Sequence, residues 1–306
     1  MPGAGSVSAI AVVGSVAFDT IETPSGRATE ILGGSATHFA VAARYFAPVH
    51  LIAVVGDDFP ATEREYLAGR GIDLAGLEVR PGKTFRWGGR YHEDLNVRDT
   101  IALELNVFAD FRPRVTPAVR KAPYVFLANI DPRLQADVLA QFEAPALVAC
   151  DTIGHWIDTA RGPFEALLPR IDLLVVNDEE ARLLSGERNV VRAARKILAL
   201  GTRAVLVKRG EYGAILFSPG SVFAVPAYPL EEVFDPTGAG DAFAGGLMGA
   251  LAAGGDRSET GLRRAIVYGT VLASFIVEDF GGRRLTTLTR DDIERRHREF
   301  VALTEF

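Results

Sequence analysis

Short runs dominated by apolar residues recur at residues 9–14, 49–55, 124–128, 147–150, 173–176 and 204–207. Between them, residues 36–46, 133–142 and 190–200 place apolar side chains at helical spacing. Nearly continuous apolar strands separated by helices predict a mostly parallel sheet covered on both faces. Beyond residue 240 the pattern turns mainly helical, over 241–253, 259–277 and 290–304. Two segments break the alternation. Residues 19–31 and 84–105 mix polar and apolar positions without a crossover helix, and Thr84-Phe85-Arg86-Trp87-Gly88-Gly89-Arg90-Tyr91-His92 alternates roughly every second residue, as a strand with one wet face does. These two segments predict a small second sheet projecting as a lid. The expected architecture is an α/β three-layer sandwich with a mostly parallel central sheet, organised as one domain over residues 1–306 with that β-sheet lid.

A chain of 306 residues can bury a large core, and 48% hydrophobic with 24% charged residues is ordinary for a globular protein. The net charge of −6 argues against nucleic acid as a partner, while a phosphate ligand needs only local positive potential. Cys150 is the single cysteine, which excludes an intrachain disulfide and a cysteine metal cluster; its apolar surroundings read as a packed strand thiol. Residues 1–6 lack the basic start and apolar core of a signal peptide, and no apolar run approaches the ~20 residues of a membrane span. A cytoplasmic location with no membrane partner is expected.

The richest stretch is Asp235-Pro236-Thr237-Gly238-Ala239-Gly240-Asp241 ahead of an apolar helix. Small residues at a helix start leave backbone N–H groups uncovered, and those donors together with the helix dipole favour an anion. A carboxylate fixed in the first turn can accept a proton from an alcohol attacking a bound phosphoryl group. The plainer alternative is a shaped loop with Asp241 as a capping acid. Asn177-Asp178-Glu179-Glu180 follows an apolar strand and has the form of a capping box. Lys208-Arg209-Gly210-Glu211-Tyr212-Gly213 lies between two strands and reads as a glycine-containing hairpin turn. Near the start, Asp19 follows the first strand, and Leu32-Gly33-Gly34-Ser35 precedes a helix that carries His38.

These motifs, in this order, resemble the ribokinase-like (PfkB-type) carbohydrate kinases from Gly14 to the Gly281-Gly282 segment. The resemblance implies an ATP-dependent kinase that moves the γ-phosphoryl group to a primary hydroxyl of a sugar or sugar derivative, with a nucleoside as the alternative acceptor. It implies Asp241 as the base and the N–H groups of Gly238, Ala239, Gly240 and Asp241 as the phosphoryl-stabilising donors. The helix dipole is expected to keep Asp241 ionised and a weak base. Asn177 and Glu180 would hold Mg2+ through water, which suits an ion that keeps most of its waters. The segment with Lys208, Gly210 and Gly213 would run beside the nucleotide, the glycines letting backbone come close. Asp19, Gly33 and Gly34 would take the acceptor hydroxyls, with His38 beside them. Asp235 is a candidate ligand for a monovalent cation such as K+.

The chain departs from the family pattern at three places. His38 stands where Asn is common, and Lys208 where Thr or Ser is frequent. Asp151 is not followed by the usual Asn and Arg, so no role passes to Ile153 or His155. The aromatic residues Phe85, Trp87 and Tyr91 would either stack on a nucleoside base, pack the lid's own apolar face, or meet a partner's lid in a homodimer. P-loop, dinucleotide-fold and nucleophile-elbow motifs are absent. A non-catalytic metabolite sensor on the same fold is the remaining alternative, against which the intact Asp241 argues.

Overall fold

The computed structural model describes residues 7–305; residues 1–6, on which the signal-peptide reading rests, lie outside them. From the first strand, β1 (Ile10–Val13), the chain runs out through the hairpin β2 (Ala17–Thr23) and β3 (Gly26–Gly33) and returns through helix α1 (Ser35–Ala43) to β4 (Val49–Gly56). Next come α2 (Ala61–Ala68), β5 (Ile72–Arg80), and a second hairpin of β6 (Phe85–Tyr91) and β7 (Arg98–Glu104). Alternation then sets in with β8 (Tyr124–Leu127), α3 (Pro132–Leu139), β9 (Leu147–Asp151), α4 (Gly154–Thr159) and α5 (Arg161–Leu167). It continues through β10 (Leu173–Asn177), α6 (Asp178–Ser185), α7 (Val190–Leu198) and β11 (Ala204–Lys208), and ends in the antiparallel pair β12 (Ala214–Ser218) and β13 (Ser221–Val225). The tail is helical: α8 (Ala239–Gly254), α9 (Glu259–Ile276), α10 (Arg284–Thr287) and α11 (Arg290–Thr304).

The central sheet has nine strands in the order β13-β12-β11-β10-β9-β8-β1-β4-β5, parallel from β11 to β5. Alternate residues of each strand divide between two cores, as the two-residue period of a strand requires. Ile10, Val12, Phe126 and Leu206 pack with the residues of α1, α8 and α9, whereas Ala11, Val13, Leu127 and Val207 pack with those of α3 to α7. This is why the middle strands read as unbroken apolar runs. β5 and α2 were not foreseen from the sequence. β5 is an edge strand whose residues alternate between buried, partly buried and exposed, and Leu67 is the one fully buried residue of α2, so neither carries an apolar run.

The second sheet has the order β3-β2-β6-β7, built from the two predicted lid segments. Its root is anchored: Phe85 stacks on Phe108 and Phe108 on Phe111, and Arg86 pairs with Asp58 and Glu30. Its free strand β7 is exposed throughout. No single helix among the described residues is long and apolar enough to cross a membrane.

Candidate active site

In an open parallel sheet, ligands collect outside the carboxyl ends of the strands. Here those ends carry Asp151 on β9, Asn177 on β10 and Lys208 on β11, with the start of α8 beside them. Gly238 caps α8 in the left-handed conformation, φ 76°, and a Cβ there would sit 2.5 Å from the His38 ring. The Asp235 carboxylate shapes the approach by accepting from the N–H groups of Thr237 at 2.8 Å and Gly281 at 2.9 Å. Of the four N–H donors expected at the α8 start, Ala239 is already committed to the carbonyl of Pro236 at 3.2 Å. Those of Gly238, Gly240 and Asp241 have no acceptor among the described residues. The contrast with α1 is instructive, because Ser15 fills that helix start: its hydroxyl accepts from Ser35 N–H at 3.0 Å and its carbonyl from Ala36 N–H at 3.0 Å. The α8 start is therefore open for an anion while the α1 start is closed.

Lys208 brings a cation to the open start. A Cβ at Gly240 would lie 2.6 Å from Lys208 Nζ, so glycine leaves room for the ammonium against the first turn. Asn177 and Glu180 form the capping box that the sequence suggested, Glu180 N–H to Asn177 Oδ1 at 2.7 Å and Asn177 N–H to Glu180 Oε2 at 2.8 Å. The same residues line a cleft of about 380 Å3 together with Ile153, Gly154 and Arg98. Among the described residues no three His, Cys or acidic side chains converge to hold a metal ion by themselves. The glycines of the 208–213 turn have close neighbours within the chain. A Cβ at Gly213 would overlap the carbonyl of Val225, and one at Gly210 the side-chain oxygen of Asn96 on the lid. Their bareness serves chain packing and lid contact, so room for a nucleotide is not needed to explain it.

On the acceptor side, Asp19 is buried against Gly33, where a Cβ would overlap its carboxylate. His38 Nε2 lies 4.0 Å from Asp19 Oδ2, too long for a hydrogen bond, and is a buried polar atom without a partner. That gap between two buried polar groups is the size a ligand hydroxyl bridges.

The electrostatics are those of crowded acids. Burial pushes the Asp241 carboxyl up to about 6, with Asp19 adding to the rise and His38, Lys208 and Arg98 opposing it. The helix dipole alone would have kept it a weaker base; desolvation prevails. Asp151, to which the sequence assigned nothing, is buried next to this group. Burial first, then the charges of Asp241 and Glu180, hold its carboxyl well above the usual range against the pull of Lys208, and its Oδ1 has no partner. Glu180 is raised by burial, again opposed by Lys208. For His38, burial favours the neutral ring, but Asp19, Asp241 and Asp235 together outweigh it and favour the imidazolium. If Asp241 serves as the proton acceptor that its sequence context suggests, it must be ionised to do so; kcat/KM is then expected to fall as pH drops through about 6, and a pH profile with no acid limb between 5 and 7 would contradict this.

Sequence reasoning noted Asp151 without giving it a role, and missed Arg98. Asp151 ends an apolar strand just as Asn177 does, which was a usable signal. Arg98 is brought to the cleft only by the lid hairpin, and nothing local marks it.

A model of the pfkB family carbohydrate kinases matches residues 7–288. The cytidine kinase of Thermococcus kodakarensis is 31% identical over 265 residues, covering 84% of this chain and 94% of the relative. Among solved structures, an Escherichia coli protein with the provisional name ribokinase II, in complex with ATP and Mg2+, superposes with a TM-score of 0.79 at 22% identity, covering 95% of this chain and 99% of that one. The Burkholderia thailandensis nucleoside kinase with inosine gives 0.74 at 22% identity, covering 96% and 99%.

Proposed function

Because this chain belongs to the pfkB family of carbohydrate kinases, phosphotransferases with an alcohol as acceptor, we propose that it transfers the γ-phosphoryl group of ATP to the primary hydroxyl of a nucleoside. The observation that carries the transfer chemistry is the open α8 start, with three unpartnered N–H groups, Lys208 beside Gly240, and Asp241 in the first turn. The three amides and Lys208 hold the terminal phosphate and meet the charge that grows on it. Asp241 takes the proton of the attacking hydroxyl, and Asp19 with His38 orients the acceptor through its remaining hydroxyls. Asn177 and Glu180 fit water-mediated Mg2+ binding, since their capping bonds leave acceptor capacity toward the cleft. When bound there, Mg2+ supplies countercharge to the phosphates. Both Asp235 oxygens already accept an N–H, so its role in this reading is to brace the turn, and K+ is an addition for the assay to test.

Trp87 favours a nucleoside over a free sugar. It pairs in register with Asp19 on the adjacent strand, so both side chains share one face of the lid. A Cβ at Gly89 would overlap the indole, so glycine gives the ring its place. Phe85 is spent on Phe108, and Tyr91 on the Thr237 hydroxyl at 3.0 Å, which leaves Trp87, with the Arg98 guanidinium 5.1 Å from its ring, as the partly exposed aromatic for a base to meet. Base stacking on an aromatic ring is worth about 1–3 kcal/mol. Trp87→Ala is therefore expected to raise the nucleoside KM by roughly 5- to 150-fold and to leave the KM for ATP within about threefold. The founding experiment is ADP release with Mg2+, with and without K+, across nucleosides, pentoses, hexoses and sugar acids. Turnover with free sugars alone would return the acceptor to the sugar class, and binding without ADP formation would make the protein a sensor.

A further inference from the structure

We infer that Arg98, the first residue of the lid's free strand, is a catalytic residue that the lid delivers to the terminal phosphate of ATP; this rests on the kinase reading above. The lid carries Arg27, Arg86 and Arg90 as well, and each has an acidic partner: Glu22 for Arg27 and Arg90, Glu30 and Asp58 for Arg86. Arg98 has none within 4.0 Å among the described residues, although it lines a cleft with Glu179 and Glu180. Its guanidinium lies 5.1 Å from the Trp87 ring, a contact of about 0.5–1 kcal/mol at an exposed site, which orients the group without neutralising it.

Three further observations fix where that cation points. Arg98 lines the cleft with Asn177 and Glu180. It pairs across the hairpin with Tyr91, which is bonded to Thr237 in the turn that opens α8. The turn just before it rests Asn96 on Gly210 of the 208–213 turn. Its charge also opposes the rise of the Asp241 and Glu180 carboxyls, so its field spans both ends of the proposed phosphate path. Lys208 meets the phosphate from the floor and Arg98 from above. As the bond from the γ-phosphorus to the bridging oxygen breaks and the bond to the acceptor oxygen forms, the proton goes to Asp241 and Arg98 balances charge on the non-bridging oxygens. Nothing else is consumed. A planar, permanently charged donor suits that geometry better than an ammonium.

The test compares Arg98→Met, which keeps the aliphatic stem over Trp87, with Arg98→Lys. Arg98→Met is expected to lower kcat by about 10²–10³-fold, below the full arginine-finger range because the group is exposed and screened. The acceptor KM should stay within about threefold, and Arg98→Lys should recover part of the loss. Titrating each variant with Mg-ATP and with Mg-ADP gives a readout independent of turnover: Arg98→Met should lose about tenfold or more of the preference for ATP while ADP binds as before. An unchanged ATP-to-ADP preference, or kcat within threefold of the parent, overturns the inference. Failure of the parent to release ADP with any acceptor strikes the kinase reading instead, and the binding comparison still decides Arg98.

Discussion

Asp241→Asn is expected to abolish most turnover, by roughly 10²–10⁴-fold, while ATP binds about as tightly as before. The substitution removes the proton acceptor and keeps the size and the amide donors of the α8 start. It should also raise thermal stability at neutral pH. A carboxyl pushed up to about 6 in the folded protein binds protons more readily than in the unfolded chain. Its favourable contribution is therefore present at low pH and lost as pH rises through about 6, leaving an ionised, partly buried group that costs up to about 3 kcal/mol at pH 8. The signature is a variant that is nearly inactive and melts higher than the parent at pH 8, with little difference at pH 4. Near-normal turnover would remove Asp241 from its assigned role. Unchanged melting at pH 8 would show that His38 and Lys208 already compensate its charge.

Gly33→Ala is the second large effect, and it should fall on the acceptor alone. The new methyl group would overlap the Asp19 carboxylate, the mobile end of a side chain, so Asp19 turns away and the fold survives. Losing a charge-assisted contact to hydroxyls forfeits about 1.5–3 kcal/mol, so the acceptor KM should rise by roughly 10- to 150-fold. ATP affinity should not change, since the α8 start is untouched. The neighbouring Gly34→Ala is a useful contrast. Gly34 has φ 95° and a Cβ there would meet the Ser15 carbonyl at 2.5 Å, so backbone has to move and the loss should be of stability. Equal acceptor KM values for Gly33→Ala and the parent would detach Asp19 from acceptor binding.

How much of this was legible beforehand depends on where each residue gets its neighbours. The sheet's inner strands announce themselves because both faces are buried, and the α8 start because its small residues are contiguous in sequence. β5 was silent because an edge strand keeps a polar side, and α2 because it buries little. Within the site, the capping box of Asn177 and Glu180 was readable from spacing. The role of Lys208 as the ammonium among Asp151, Glu180 and Asp241 was not, because the four come from four different segments. Gly213 shows that a glycine in a suggestive motif can have a second reason to be bare, here the close approach of Val225. His38 is intermediate, its position plain from the Gly-Gly pair and its orphaned Nε2 visible only in three dimensions.

The hydrogen bond between Thr237 and Tyr91 ties the second lid hairpin to the turn that opens α8. With Thr23 also joined to the carbonyl of Phe234 at 2.9 Å, the cover is latched to the very turn that shapes the phosphate grip. On the kinase proposal, a lid that opened would have to break both bonds, so the grip on the phosphate would slacken in the same movement that cleared the exit.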